Sequence, residues 1–277
     1  MTPERTVAAA QLVRDGVSVG LNLPTDVPDP PLFGRERLRH QIFGVDRNTL
    51  DDRLDAFYPQ ASSQWDGLRH VRAREHGFFG GVDSDELVPG SGPLGIDAWE
   101  RRGIIGRGVL LDIVGLRARQ GRAYDPLGSE TIEADDLAAA AAAQGVEIRA
   151  GDVLCVRTGW LAAYLELDAG GRSAMAEAPR FSGLSGSDAM ARFLWDAGLI
   201  AVAADNPALE VAPGDPAVGS LHRRLIPLLG FAVAELLDFE TLTALCLRDG
   251  RWDFLFVAVP LNLPGGVGSP ANAVAIR

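Results

Sequence analysis

Short apolar runs opened by glycine and alternating with amphipathic stretches predict a single α/β domain with a mixed sheet and a barrel-like core flanked by helices. Three observations carry this expectation. Gly106-Arg-Gly-Val-Leu-Leu-Asp-Ile-Val and Val153-Leu-Cys-Val-Arg-Thr read as buried strands. Ala134–Gln144 between them reads as a helix, with acids in its first turn and Gly145 after its end. No internal repeat, linker or shift in composition divides the 277 residues, so residues 1–277 are read as one domain.

The remaining elements follow in chain order. Residues 1–60 are rich in proline and charge and are expected to form an extended arm. Asn22-Leu-Pro-Thr-Asp-Val-Pro-Asp-Pro-Pro-Leu-Phe cannot be helical, because proline removes donors and restricts the residue before it. This arm is expected to wrap the core or a neighbouring subunit. Asp188–Ala197 predicts a helix with Met190, Phe193 and Leu194 on one face. Ile200-Ala-Val-Ala-Ala predicts a strand ending at Asp205-Asn-Pro. Leu221–Leu229 reads as a helix that Gly230 stops, and Phe254-Leu-Phe-Val-Ala-Val as a final strand.

Composition narrows the function. Hydrophobic residues make up 47% and the net charge is -11. That charge argues against nucleic acid and against adsorption to an anionic membrane. No apolar run reaches the ~18 residues of a membrane-spanning helix, and Met1-Thr-Pro-Glu-Arg has no apolar signal core. A cytoplasmic location is expected. Cys155 and Cys246 cannot by themselves form a thiolate metal site and are expected as buried apolar fillers. Histidine chemistry must use His40, His70, His76 or His222.

Two places hold candidate chemistry. In Gln60-Ala-Ser-Ser-Gln-Trp-Asp-Gly-Leu-Arg-His70, an extended backbone puts Gln64, Asp66, Leu68 and His70 on one side. A carboxylate and an imidazole then share one space, which suits a metal site or an acid/base pair. The bland alternative is a loop with a structural Asp and a satisfied His. In the second place, Glu235 sits in an apolar stretch just after His222. A carboxylate buried there needs a partner or a metal; alternatively Glu235 opens a helix and is solvated. Trp65 is a candidate to stack on a substrate ring, with core packing the competing reading. His76, beside Gly77-Phe-Phe-Gly-Gly, is a candidate pocket edge, and His40 is expected to be solvated. Arg107 is expected either to pair with Asp112 or to face another subunit.

These two places together resemble the metal-dependent hydrolase and cyclase family that includes kynurenine formamidase and isatin hydrolase. The family's motif has the form His-x-Gly-Thr-His-x-Asp-x-Pro-x-His, and Gln60 to His70 runs in the same register. Gly103–Asp112, Gly151–Trp160, Ala201–Pro207, Pro260–Leu263 and Gly268–Ala271 resemble further family segments in the same order. The resemblance implies a swivelling β/α/β fold and a hydrolase of a cyclic amide, formamide or ester bond in a small molecule. It implies Asp66, His222 and Glu235 as metal ligands, His70 as the catalytic acid/base, and a homodimer or homotetramer. Both early metal histidines of the family are replaced, by Gln60 and Gln64. Glutamine offers a neutral, harder oxygen, so the expectation is one ion, manganese or zinc, held by Asp66, His222 and Glu235 with help from Gln64 and Gln60. A metal-independent cyclase, dehydratase or isomerase, and a non-catalytic binding protein, are the alternatives.

Overall fold

The computed structural model describes residues 2–277. Its strands are β1 (Ser18–Gly20), β2 (Arg39–Gly44), β3 (Leu50–Asp55), β4 (Gln64–Asp66), β5 (Ile104–Asp112), β6 (Thr131–Ile132), β7 (Val153–Arg157), β8 (Gly183–Leu184), β9 (Ala201–Ala204), β10 (Ala232–Glu235), β11 (Asp253–Ala258), β12 (Gly268–Pro270) and β13 (Ala273–Ile276). Nine of them form one curled sheet in the order β1-β13-β11-β5-β7-β9-β10-β4-β12. The centre, β5 to β10, is parallel, and both flanks are antiparallel. Parallel strands need a crossover between them. Those crossovers carry the helices α3 (Ile113–Arg119), α4 (Ala134–Gln144), α5 (Trp160–Leu165), α6 (Ala169–Glu177) and α7 (Asp188–Asp196); α1 (Pro3–Ala10) and α2 (Asp97–Glu100) precede them in the chain.

Alternation along the strands sorts two cores. Val109, Leu111, Leu154, Val156, Val202 and Val233 face α3, α4 and α7, which contribute Leu116, Leu137, Met190 and Leu194. Leu110, Cys155, Ala203, Ala234, Phe254 and Phe256 face the inside of the curl, closed by Leu242 and Cys246. Both cysteines are buried and free. Burial raises both thiols, Cys246 to about 12, so neither is a reactive thiolate.

The arm predicted over residues 1–60 is only partly extended. Residues 22–33 are non-helical as expected, and Leu23 and Leu32 bury themselves beside Trp160 and Phe181. However, α1 opens the chain with Thr2 as its cap, and β1 joins the main sheet against β13. Residues 39–55 form a separate hairpin, β2 on β3, whose residues are almost all exposed. Arg107 also departs from both expectations: it pairs with Asp152 at 2.7 Å and Asp253 at 3.0 Å. Asp112 pairs instead with Arg157, which also grips Glu240. All 26 basic side chains besides histidine are arginine. The pair from Arg117 to Asp136 is bidentate.

One buried carboxylate ties the parallel strands together. Asp205 at the end of β9 is fully buried and accepts from Thr158 N (2.6 Å), Thr158 Oγ1 (2.7 Å) and Gly159 N (2.8 Å). Burial pushes its carboxyl up to about 6 despite these donors. Gly159 sits at φ 83, where only glycine turns without penalty. Asp205→Ala strands two buried N–H groups and is expected to cost about 2–4 kcal/mol, read as a lower urea midpoint at unchanged slope.

Candidate active site

The site forms where β10 ends. Val233 points to the helical face, Ala234 into the curl, and Glu235 again to the helical face. β4 runs antiparallel beside it, with Gln64 opposite Glu235 and Trp65 opposite Ala234. Period-two alternation therefore puts Gln64, Asp66 and Glu235 together and sends Trp65 the other way. The short helix α8 (Leu221–Arg224) buries Leu221 and carries His222 onto the same face. Asp66, His222 and Glu235 each offer a ligand atom within 4.8 Å of the others.

His70 arrives by a different route from the one predicted. The strand stops at Asp66, and His70 N closes a turn onto Gly67 O at 2.9 Å. Arg69, almost fully buried, holds that turn by donating to the carbonyls of Val88, Ser91, Pro93 and Gly265. His70 Nε2 then lies 3.8 Å from Asp66 Oδ2. Gln60 packs where β12 has no side chain: a Cβ on Gly268 would meet Gln60 Cγ and Cδ at 2.8 Å. The Gln60 amide nitrogen donates to Asp66 Oδ1 and reaches His70 Nδ1 at 3.0 Å. Occupying Nδ1 with a donor leaves the ring proton on Nε2, the nitrogen nearer Asp66 Oδ2.

His222 is gripped from both sides. Its Nδ1 lies 2.7 Å from Glu210 Oε1 and its Nε2 2.8 Å from Glu235 Oε1. Glu210 also accepts from Ser220 Oγ and from the backbone N–H groups of Leu221 and His222, capping α8. The electrostatics follow. Burial works against the imidazolium of His222, but Asp66, Glu210 and Glu235 hold its pKa well above the ordinary value. Burial, reinforced by Asp66, pushes the Glu235 carboxyl up to about 7. Burial opposes ionisation of Asp66 too, yet His222, His70 and Gln60 keep it below the usual range. His70 falls below the ordinary value, first through burial and further through His222 and Arg35.

The donor set fits one divalent cation. Asp66 Oδ2 and Gln64 Oε1 are buried oxygens with no hydrogen-bond partner among the described residues. Both belong to residues that face His222 Nε2 and Glu235. Such oxygens are costly unless a cation or donor meets them. Gln64 spends only its nitrogen, donating to Glu235 Oε2 at 2.7 Å. Glu210 on Nδ1 is the outer partner that a metal-binding imidazole commonly has.

The Cyclase family model matches residues 22–211. This chain belongs to the Cyclase family. The crystal structure of a novel cyclase aligns with 33% identity and a TM-score of 0.87, over 100% of this chain and 94% of that one. Isatin hydrolase A from Labrenzia aggregata, bound to benzyl benzoate, shares 17% identity and the fold, with a TM-score of 0.67 over 98% and 97% of the two chains. A predicted metal-dependent hydrolase from Bacillus stearothermophilus shares the fold at 17% identity and a TM-score of 0.56, over 95% and 98%. No curated protein matches the chain.

Within this member of the Cyclase family, the candidates divide. Gln60, Gln64, Asp66, His70, His222 and Glu235 come together. Trp65 does not: it is fully buried in the curl, donates to Ala271 O and meets Trp99 and Phe256 edge-on. It is a core residue and is unavailable to stack on a substrate. His76 is exposed on the turn from Ala73 to Gly77, and exposed His40 bonds Asp52. Glu235 lies on a strand, fully enclosed, so the solvated helix start is excluded. Sequence reasoning missed Glu210. It lies in a loop between Pro207 and Pro213, where no periodicity points inward. Glu210→Ala leaves the first N–H groups of α8 and His222 Nδ1 without an acceptor. A cost of about 2–4 kcal/mol in urea unfolding is expected.

Proposed function

We propose that this cyclase-family protein is a metal-dependent hydrolase that opens an amide, lactam or lactone-like bond in a small molecule. One observation supports this above all: two buried oxygens without a hydrogen bond, Asp66 Oδ2 and Gln64 Oε1, belong to residues that converge with His222 and Glu235. Asp66, His222 and Glu235 are the proposed ligands, with Gln64 contributing its oxygen. A divalent ion there polarises a carbonyl and acidifies bound water. Manganese suits the oxygen-rich set, and zinc suits it through His222.

The protein's own groups supply the rest. Glu210 orients His222 through Nδ1. Asp66 and Glu235 hold negative charge where it offsets a dication. His70 is the proposed proton-transfer group. It presents an N–H at Nε2, placed by the Gln60 amide, to the atom that gains charge as the bond breaks. Its side chain is 30% exposed, against 1% for Asp66 and 4% for Glu235, so a substrate meets His70 first.

A second reading has its own observation. Gln60 and Gln64 donate N–H groups to Asp66 and Glu235, and these amides compensate the carboxylates without an ion. A metal-independent cyclase or isomerase acting through Asp66 and His70 follows from that.

Plasma mass spectrometry of protein purified without chelator separates the two. The hydrolase reading expects about one equivalent of manganese or zinc per chain, lost in Asp66→Ala and in Glu235→Ala. A metal-free wild type that stays metal-free in excess manganese or zinc rejects it. His70→Ala is expected to keep the metal and to lower turnover of amide, lactam or lactone substrates by about 10²–10⁴-fold. Glu210→Gln is expected to weaken metal binding about 10–100-fold, measured by calorimetry.

A further inference from the structure

A cavity of about 380 Å³ opens at the other end of the sheet from Glu235, where Ile104 starts β5 and Ala232 starts β10. Its walls are aromatic: Trp99 of α2, Trp195 near the end of α7, and Phe231 just ahead of β10. Two of these are fixed. Trp99 meets the buried ring of Trp65 edge-on, with centroids 6.5 Å apart, and Phe231 is 5% exposed. Trp195 differs. Its helix buries Met190, Ala191 and Leu194, yet Trp195 itself is 54% exposed. Its ring stands 6.3 Å from that of Phe231, inclined at 52°. An indole left half in water beside an apolar wall offers surface that a flat guest can cover.

The charge of this cavity is opposite to that of the chain. The protein carries a net charge of -11, but the one charged residue lining the cavity is Arg102. Arg102 also lines a neighbouring concavity of about 520 Å³ against α1, and no acid lines that one either. Among the described residues the Arg102 guanidinium has no hydrogen-bond or ion-pair partner. Its five donors are therefore free for an anion. The volume lies in the range of small-molecule sites, which are concave, mostly aromatic or aliphatic, and carry few polar groups. A protein partner needs a broader patch, about 800 Å² on each side.

We infer that this cavity is a second binding site, which takes one small aromatic carboxylate. The ring of the ligand lies against Trp99, Trp195 and Phe231, and its carboxylate takes paired N–H bonds from Arg102. A neutral analogue of the same shape keeps the ring contact and loses the charge-assisted bonds. The site is separate from the cluster of Asp66, His70, His222 and Glu235, because none of those residues lines the cavity. It therefore does not depend on the hydrolase reading. Arg102 and Trp195 are both exposed, so replacing either leaves the core and the cluster whole.

The test is binding, which needs no turnover. Calorimetry titrates 2-naphthoate and its neutral alcohol, 2-naphthalenemethanol, into wild type, Arg102→Met, Trp195→Ala and Asp66→Ala, with thermal melts confirming that each variant folds. One naphthoate per chain is expected at this site, bound about tenfold more tightly than the alcohol. Arg102→Met is expected to remove that preference, Trp195→Ala to weaken naphthoate about tenfold or more, and Asp66→Ala to leave both values unchanged. Naphthoate that fails to bind wild type overturns the inference. So does binding that survives Arg102→Met and Trp195→Ala but is lost in Asp66→Ala, which places the ligand in the cluster. Light scattering supplies the remaining outcome: a wild-type dimer that Trp195→Ala turns into monomer shows the cavity covered by a second copy of the chain, and overturns the inference as well.

Discussion

Two carboxylates buried side by side, Asp66 and Glu235, set the terms for everything around them. Removing an ionised carboxylate from water is expensive unless donors or opposite charge replace the lost hydration. Two such groups on adjacent strands also repel each other. The structure answers with amides from Gln60 and Gln64, an imidazole from His222 and an approach by His70. Even so, Asp66 Oδ2 is left without a hydrogen bond. A cation held there would supply the partner that this oxygen lacks.

The scaffold places these groups with economy. A strand of three residues, β4, is held between β10 and β12. Its register sets Gln64 against Glu235, and its alternation gives Trp65 to the core. Trp65 therefore serves as the anchor for the two polar residues on either side of it. Arg69 does the same for His70 by collecting four carbonyls from two separate loops. Glu210 does it for His222. Each side chain of the cluster is thus seated by a neighbour that is not itself one of the candidate ligands.

Much of this was legible in the chain. The parallel strands and α4 announced themselves through apolar runs and glycine stops. The even spacing from Gln64 to Asp66 read correctly as strand, because alternation is a property of extended backbone. It failed one step later: Gly67 starts a turn, so His70 reaches the site by curvature rather than by period. Glu235 was undecided in sequence because an acid after an apolar run also marks a helix start; only the pairing with Gln64 distinguishes the two. Glu210 gave no signal, because it lies in a proline-bounded loop. The β2–β3 hairpin was missed for a similar reason: Leu50-Asp-Asp-Arg-Leu-Asp offers no buried face, so no core demand is written into it.

The exclusive use of arginine has a practical outcome beyond the ion pairs it builds. Guanidinium groups keep their proton far into alkali, where an ammonium would surrender it. The pairs of Arg107, Arg117 and Arg157 with their acids therefore persist in strongly basic buffer. There is also no side-chain amine anywhere in the sequence. Amine-selective reagents and enzymes that tag lysine therefore find no side-chain amine here, and a lysine engineered at one chosen spot would be the single side chain of that kind.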